Sequence, residues 1–81
     1  MTVAEFNDKV IEIVRDSFDF SEGTEITSES KLLEDLGMSS LAILAMISDL
    51  EDAFDVRIPT RKLSKIVTVG DLQQFILNKL V

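Results

Sequence analysis

Few residues in this chain are equipped for chemistry. None of the 81 residues is His or Cys. The usual general base near neutral pH, a thiolate nucleophile and a Cys-ligated zinc are therefore all missing. That argues against a self-contained hydrolase or metalloenzyme, and no metal centre is expected. What is left is a pair of hydroxyls, Ser39 and Ser40, placed after Leu36-Gly37-Met38 and directly before an apolar run over residues 41–47. Alone, such a dipeptide is most simply a helix N-cap and its neighbour. The other chemical candidate is the acidic stretch Asp19-Phe20-Ser21-Glu22-Gly23. Its glycine stands fifth rather than sixth and the alternating acidic ligands are absent, so a calcium-binding helical protein is rejected.

The elements that must position the serines are helical. Thr2 with Glu5 is a capping-box pattern, and Val3, Phe6, Val10, Ile13, Val14 and Ser17 follow at 3–4 spacing as a buried stripe. Residues 19–38 read as a long loop of turn-forming types, pinned by Phe20, Ile26, Leu32, Leu33 and Leu36, with one helical turn over 32–36 ended by Gly37. A second helix runs from about Ser40 to Phe54 with Ser39 as its N-cap. Its first half, residues 41–47, has no polar face, so it is either covered or waits to be covered. Leu44, Ile47, Leu50 and Phe54, with Phe6 and Phe75, are expected in the core. Ile43 and the adaptable Met46 are expected on a partner-binding surface, with Met38 a weaker candidate. Ile58-Pro59 breaks the chain, Thr60 caps a short basic turn over 61–66, and residues 66–69 form a connector with no strand to pair with. Thr68 and Asp71 repeat the capping pattern before a last stripe of Val69, Leu72, Phe75, Ile76 and Leu80. The fold class is all-α: a small bundle of three main helices plus one short helix, a single domain over residues 1–81.

Charge bounds the partners. Fifteen acids against eight bases give a net charge of −7, which disfavours nucleic acid. The distribution is uneven: residues 1–55 carry a balance of −11 and residues 56–81 a balance of +4. Glu5, Asp8 and Glu12 near the start are unlike a targeting segment, and the seven-residue apolar run is far below the ~20 residues that span a bilayer. A cytoplasmic monomer without a membrane span is expected.

The stretch Leu33-Glu34-Asp35-Leu36-Gly37-Met38-Ser39-Ser40-Leu41, the Leu50-Glu51-Asp52-Ala53-Phe54 helix ending and Ile58-Pro59 together resemble the acyl carrier protein family. The resemblance covers essentially the whole chain. It implies 4′-phosphopantetheine on Ser40, attached by a phosphopantetheinyl transferase, with Ser39 as the N-cap beside it; Ser39 is the alternative attachment point. A phosphodiester at a helix N-terminus meets unpaired amides and the positive end of the dipole. Acyl-transferring and chain-extending enzymes are the implied further partners, in fatty acid, lipid or polyketide biosynthesis, and the chain itself is a carrier rather than an enzyme. Met38, Leu41, Ala42, Ile43, Ala45, Met46, Asp35, Asp49, Arg61, Lys62 and Lys65 make up the implied partner-binding set.

The departures from the family pattern share one sign. Ser39 stands where Asp usually precedes the modified serine, Ala42 and Ala45 stand where acids are frequent, and Arg61, Lys62 and Lys65 lie where the short helix is commonly acidic. These changes imply a specialised carrier whose cognate enzymes differ from the usual set, against the alternative that surface charge drifts freely. Asp35, Asp49, Glu51 and Asp52 remain as an acidic rim or as a solvated helix face. Two other functions share the fold: an unmodified helical interaction module and a peptidyl or aminoacyl carrier.

Overall fold

The computed structural model describes residues 2–18 and 23–80. The expected loop pin Phe20 and all of the 19–23 window but Gly23 lie outside them. Four helices follow in chain order, α1 (Val3–Ser17), α2 (Ser40–Phe54), a short 3-10 helix (Thr60–Lys65) and α3 (Val69–Leu80), with no strand among the described residues. The all-α bundle expected from the patterning is the architecture observed.

Local side-chain code starts α1 and α3. Thr2 Oγ1 accepts the Glu5 amide at 3.1 Å while Glu5 Oε1 accepts the Thr2 amide at 3.2 Å. At α3, Thr68 Oγ1 accepts the Asp71 amide at 3.0 Å, and Asp71 Oδ2 accepts the amides of Thr68 and Val67 at 3.1 and 3.0 Å. Those amide bonds hold the Asp71 carboxyl below its ordinary pKa. A depressed pKa means the folded chain binds this proton less readily than the unfolded chain does. The resulting stabilisation is present above the ordinary Asp range and fades as pH falls through the lowered value. Asp71→Asn should flatten that part of the acid-unfolding curve, read as the difference in urea midpoint between neutral and acidic pH.

One core gathers residues from the three main helices and the segments between them, including Phe6, Val10 and Val14 of α1, Met46, Ile47 and Leu50 of α2, and Val69, Leu72 and Ile76 of α3. Phe6 and Phe54 meet as a tilted ring pair at 5.1 Å. Several expected core residues lie elsewhere. Val3, the first residue of α1, and Leu80, at the far end of α3, are both exposed. Phe75 is only half-buried, because α3 turns the face Val69, Leu72, Gln73 and Ile76 inward.

The polar member of that face, Gln73, joins three elements. Its Oε1 accepts Ser28 Oγ at 2.6 Å and its Nε2 donates to the Asn7 carbonyl at 3.2 Å. A buried amide with both ends bonded adds specificity without leaving an orphan.

The loop between α1 and α2 is pinned by Ile26, Leu32 and Leu36, whereas Leu33 points outward. The 32–36 segment makes the expected turn: the Asp35 and Leu36 amides both donate to the Lys31 carbonyl. The connector after the 3-10 helix does find a partner, contrary to expectation. Lys31 and Thr68 form an isolated antiparallel bridge, with the Leu32 amide on the Val67 carbonyl at 2.9 Å and the Val69 amide on the Ser30 carbonyl at 3.0 Å. Thr60 is likewise corrected: it is the first residue of the 3-10 helix, not its cap, and Pro59 precedes it without a side-chain capping bond.

Close approach fixes one glycine. A Cβ on Gly70 would stand 2.8 Å from the Ser28 carbonyl oxygen, which itself accepts the Gly70 amide at 2.7 Å. Gly70→Ala must push the loop off α3 and should cost about 1–3 kcal/mol, the usual scale of overpacking. A denaturant titration at constant m-value checks it.

Candidate functional site

The site is built at the start of α2. Gly37, at φ +68, takes the left-handed conformation that ends the 32–36 turn. Beyond it Met38 drops into the core, its amide on the Leu32 carbonyl at 3.0 Å, and the chain rises to two exposed serines. Ser39 is the N-cap: its Oγ accepts the Ala42 amide at 3.1 Å, and its carbonyl accepts the Ile43 amide at 2.9 Å. Ser40 is the first helical residue, and among the described residues its Oγ has no hydrogen-bond partner. Helix starts leave amides without intrahelical acceptors. With Ala42 satisfied by Ser39, the amides of Ser40 and Leu41 are available beside the free hydroxyl. An anion there also meets the positive end of the helix dipole, and no carboxylate stands in the first turn to oppose it.

Ser40 opens onto a cleft of about 430 Å³. Ile43 and Leu44 extend the wall from Ser40 along α2, at the i+3 and i+4 positions that share its face. Leu63 of the 3-10 helix stands opposite, and Leu33, Ile66 and Val67 line it further. The cleft is mainly apolar; its polar lining is Ser40, Thr60 and Ser64 with the paired Lys31 and Glu34, 3.2 Å apart.

The expected partner-binding residues separate into groups. Leu41 is 78% exposed and Ala45 is exposed, while Ala42 and Ile43 are half-buried. Arg61 and Lys65 are exposed and Lys62 is half-buried on the 3-10 helix, across the cleft from α2. Asp49 is exposed on the second half of α2, away from the cleft lining. Asp35 is exposed, but its Oδ2 accepts the Lys31 amide at 2.8 Å and so steadies the turn. Glu51, counted in the acidic rim, turns back to accept the Ile58 amide at 2.7 Å.

Two expected contacts are corrected. Met46 is 0% exposed and Met38 2% exposed, so both are core residues and present no surface to a partner. Leu44, expected in the core, is 45% exposed and lines the cleft. The helix turns the face of Met46, Ile47 and Leu50 toward α1 and the common core, and Leu44 lies off that face. Leu33, Leu63 and Val67 also went unrecognised as site residues. Ile43 and Leu44 had a signal, their 3–4 spacing from Ser40. The others reach the cleft through tertiary placement alone.

Comparison with known proteins adds an independent line. The family model described as "Phosphopantetheine attachment site" matches residues 8–76. An acyl carrier protein of Chlorobium phaeovibrioides is 39% identical over 79 residues, covering 98% of this chain and 100% of that protein. An acyl carrier protein of Thermotoga maritima is 38% identical over 72 residues, 89% of this chain and 88% of its own length. One from an Exiguobacterium strain reaches 44% over 57 residues, 70% of this chain and 72% of that protein.

Proposed function

The chain belongs to the acyl carrier protein family, and we propose that its 4′-phosphopantetheine is attached to the Oγ of Ser40. The observation that carries the assignment is the contrast between the two serines. Ser39 Oγ is committed to the Ala42 amide, whereas Ser40 Oγ is exposed at a helix start and has no partner among the described residues. The residues present fit the group: the free amides of Ser40 and Leu41 suit a phosphodiester, and the neighbouring cleft suits an extended apolar load. When bound, the arm supplies a thiol that holds acyl groups as thioesters.

The chain's own part is to present, orient and shelter. It is a carrier, and a transferase supplies the chemistry of attachment. Holding a load on a tether turns encounters with each acyl-handling enzyme into docking of one small protein, raising effective concentration without new contacts at the reacting atoms. Between visits, each methylene that leaves water for the cleft formed by Leu44, Leu63 and their neighbours gains about 0.8 kcal/mol. An aminoacyl load would bring an ammonium group to that mainly apolar lining, whose carboxylate, Glu34, is already paired with Lys31 at 3.2 Å. The cleft therefore favours acyl over aminoacyl cargo. We place the carrier in fatty acid, lipid or polyketide assembly, specialised toward its own enzymes, with residues 1–81 acting as one domain around one core. No helix among the described residues is long and apolar enough to cross a membrane.

The test is intact mass after incubation with coenzyme A and a promiscuous phosphopantetheinyl transferase. One added phosphopantetheinyl group that maps to Ser40 supports the assignment; an unchanged mass would leave a helical interaction module instead.

A further inference from the structure

We propose that the face around Ser40 docks a protein partner whose own surface sets carboxylates beside an apolar pocket; this rests on Ser40 being the loaded residue. On the α2 side the face offers Leu41 and Leu44, both exposed, with Ala45 beside them and no acid in the first turn. On the other side of the cleft stands the 3-10 helix, which directs Thr60, Leu63 and Ser64 inward. Residues three apart eclipse on such a helix. Lys62 and Lys65 therefore share a different side, where both line a hollow of about 270 Å³ against α3. Arg61 is exposed on the same short helix. The apolar patch borders the cleft and the lysines stand on the far side of its 3-10 wall, while Glu34, the acid that lines the cleft itself, is paired with Lys31 at 3.2 Å.

Among the described residues this basic ridge makes no ion pair of its own. The ion pairs among the described residues are Lys9–Glu12 and Lys31–Glu34, and neither involves Arg57, Arg61, Lys62 or Lys65. Asp71 lines the same hollow and is held ionised by the Val67 and Thr68 amides, so it offsets one charge and leaves Arg61, Lys62 and Lys65 in excess. Clustered like charges repel one another until a partner supplies acids, so an acid-rimmed surface gains on docking and a basic-rimmed one is repelled. A polyanion or an anionic bilayer fits less well, since the remainder of this chain, with net charge −7 overall, opposes approach to extended negative surfaces. The exposed leucines supply the apolar contact that charge steering then orients.

A charge-swap square tests the partner class. Two carriers, the wild type and R61E/K62E/K65E, are each loaded by two transferases: one with a basic docking face, and the same enzyme with those bases reversed to glutamate. Loading at Ser40 is followed by intact mass at low ionic strength. The wild type should be loaded about tenfold more efficiently in kcat/KM by the acid-faced enzyme, the triple variant should show the opposite order, and salt should shrink both differences. K9E, a same-sign change on α1, should keep the wild-type order. The milder R61Q/K65Q, at two exposed positions, should move part of the way and guards against misfolding of the triple variant. Loading at Ser40 with one ranking for both carriers overturns this proposal alone. Absence of loading by either enzyme overturns the Ser40 assignment as well. Retention of wild type but not the triple variant on phosphatidylglycerol-containing vesicles at physiological salt would give the ridge to lipid and also overturn it.

Discussion

Replacing Ser40 by alanine should abolish phosphopantetheine attachment completely while leaving the fold intact. The side chain is exposed and makes no hydrogen bond among the described residues, so its removal strands no buried group. Alanine is also at least as good a helix residue at that position. Ser39→Ala should behave in the reverse manner. It deletes the acceptor for the Ala42 amide and should cost about 0.5–2 kcal/mol in unfolding free energy, yet keep a loadable hydroxyl one residue on. Intact mass reads the first effect and a urea titration the second. Loading that survives Ser40→Ala and disappears with Ser39→Ala would move the attachment point by one residue.

The second large effect separates two neighbours on α2. Met46→Ala should cost about 2–5 kcal/mol, because a fully buried side chain leaves a cavity that the surrounding helices close only in part. Against a typical total of about 5–15 kcal/mol, that is a severe loss. Leu44→Ala should change stability far less, since nearly half of the side chain already faces water. Its consequence should appear in the loaded state, where a long-chain thioester would be hydrolysed faster by solvent than in the wild type. Equal losses of stability in the two variants would show that the cleft-side and core-side faces of α2 have been mistaken for each other.

Those two positions also mark where sequence reasoning stops. Boundaries written in local code were legible: the Thr2–Glu5 and Thr68–Asp71 caps and the Ser39 cap that starts α2 all form as their spacing implies. Ser40 is singled out only by the family resemblance, since Ser39-Ser40 alone reads as a cap and its neighbour. Residues 41–47 carry no polar face, so periodicity had nothing with which to choose between Met46 and Leu44 as the buried one. That choice is made by α1 and the rest of the core, which are remote in sequence. Gln73 was hidden similarly: a polar residue on an apolar stripe gives no hint that Ser28 and Asn7, 45 and 66 positions away, will satisfy it. The Lys31–Thr68 bridge escaped because one pairing does not make a strand on either side.

That bridge gives the cleft two unequal edges. Along its back, the Leu32 amide on the Val67 carbonyl and the Val69 amide on the Ser30 carbonyl rivet loop to connector by main chain. The front edge is the 3-10 helix, which has no buried residue and no side-chain capping bond. The geometry is that of a clam with a stiff hinge and a soft lip. An acyl load too long for the interior should then leave past Leu63 and Thr60 rather than through the rear wall, so widening the lip should not disturb the seat of Ser40.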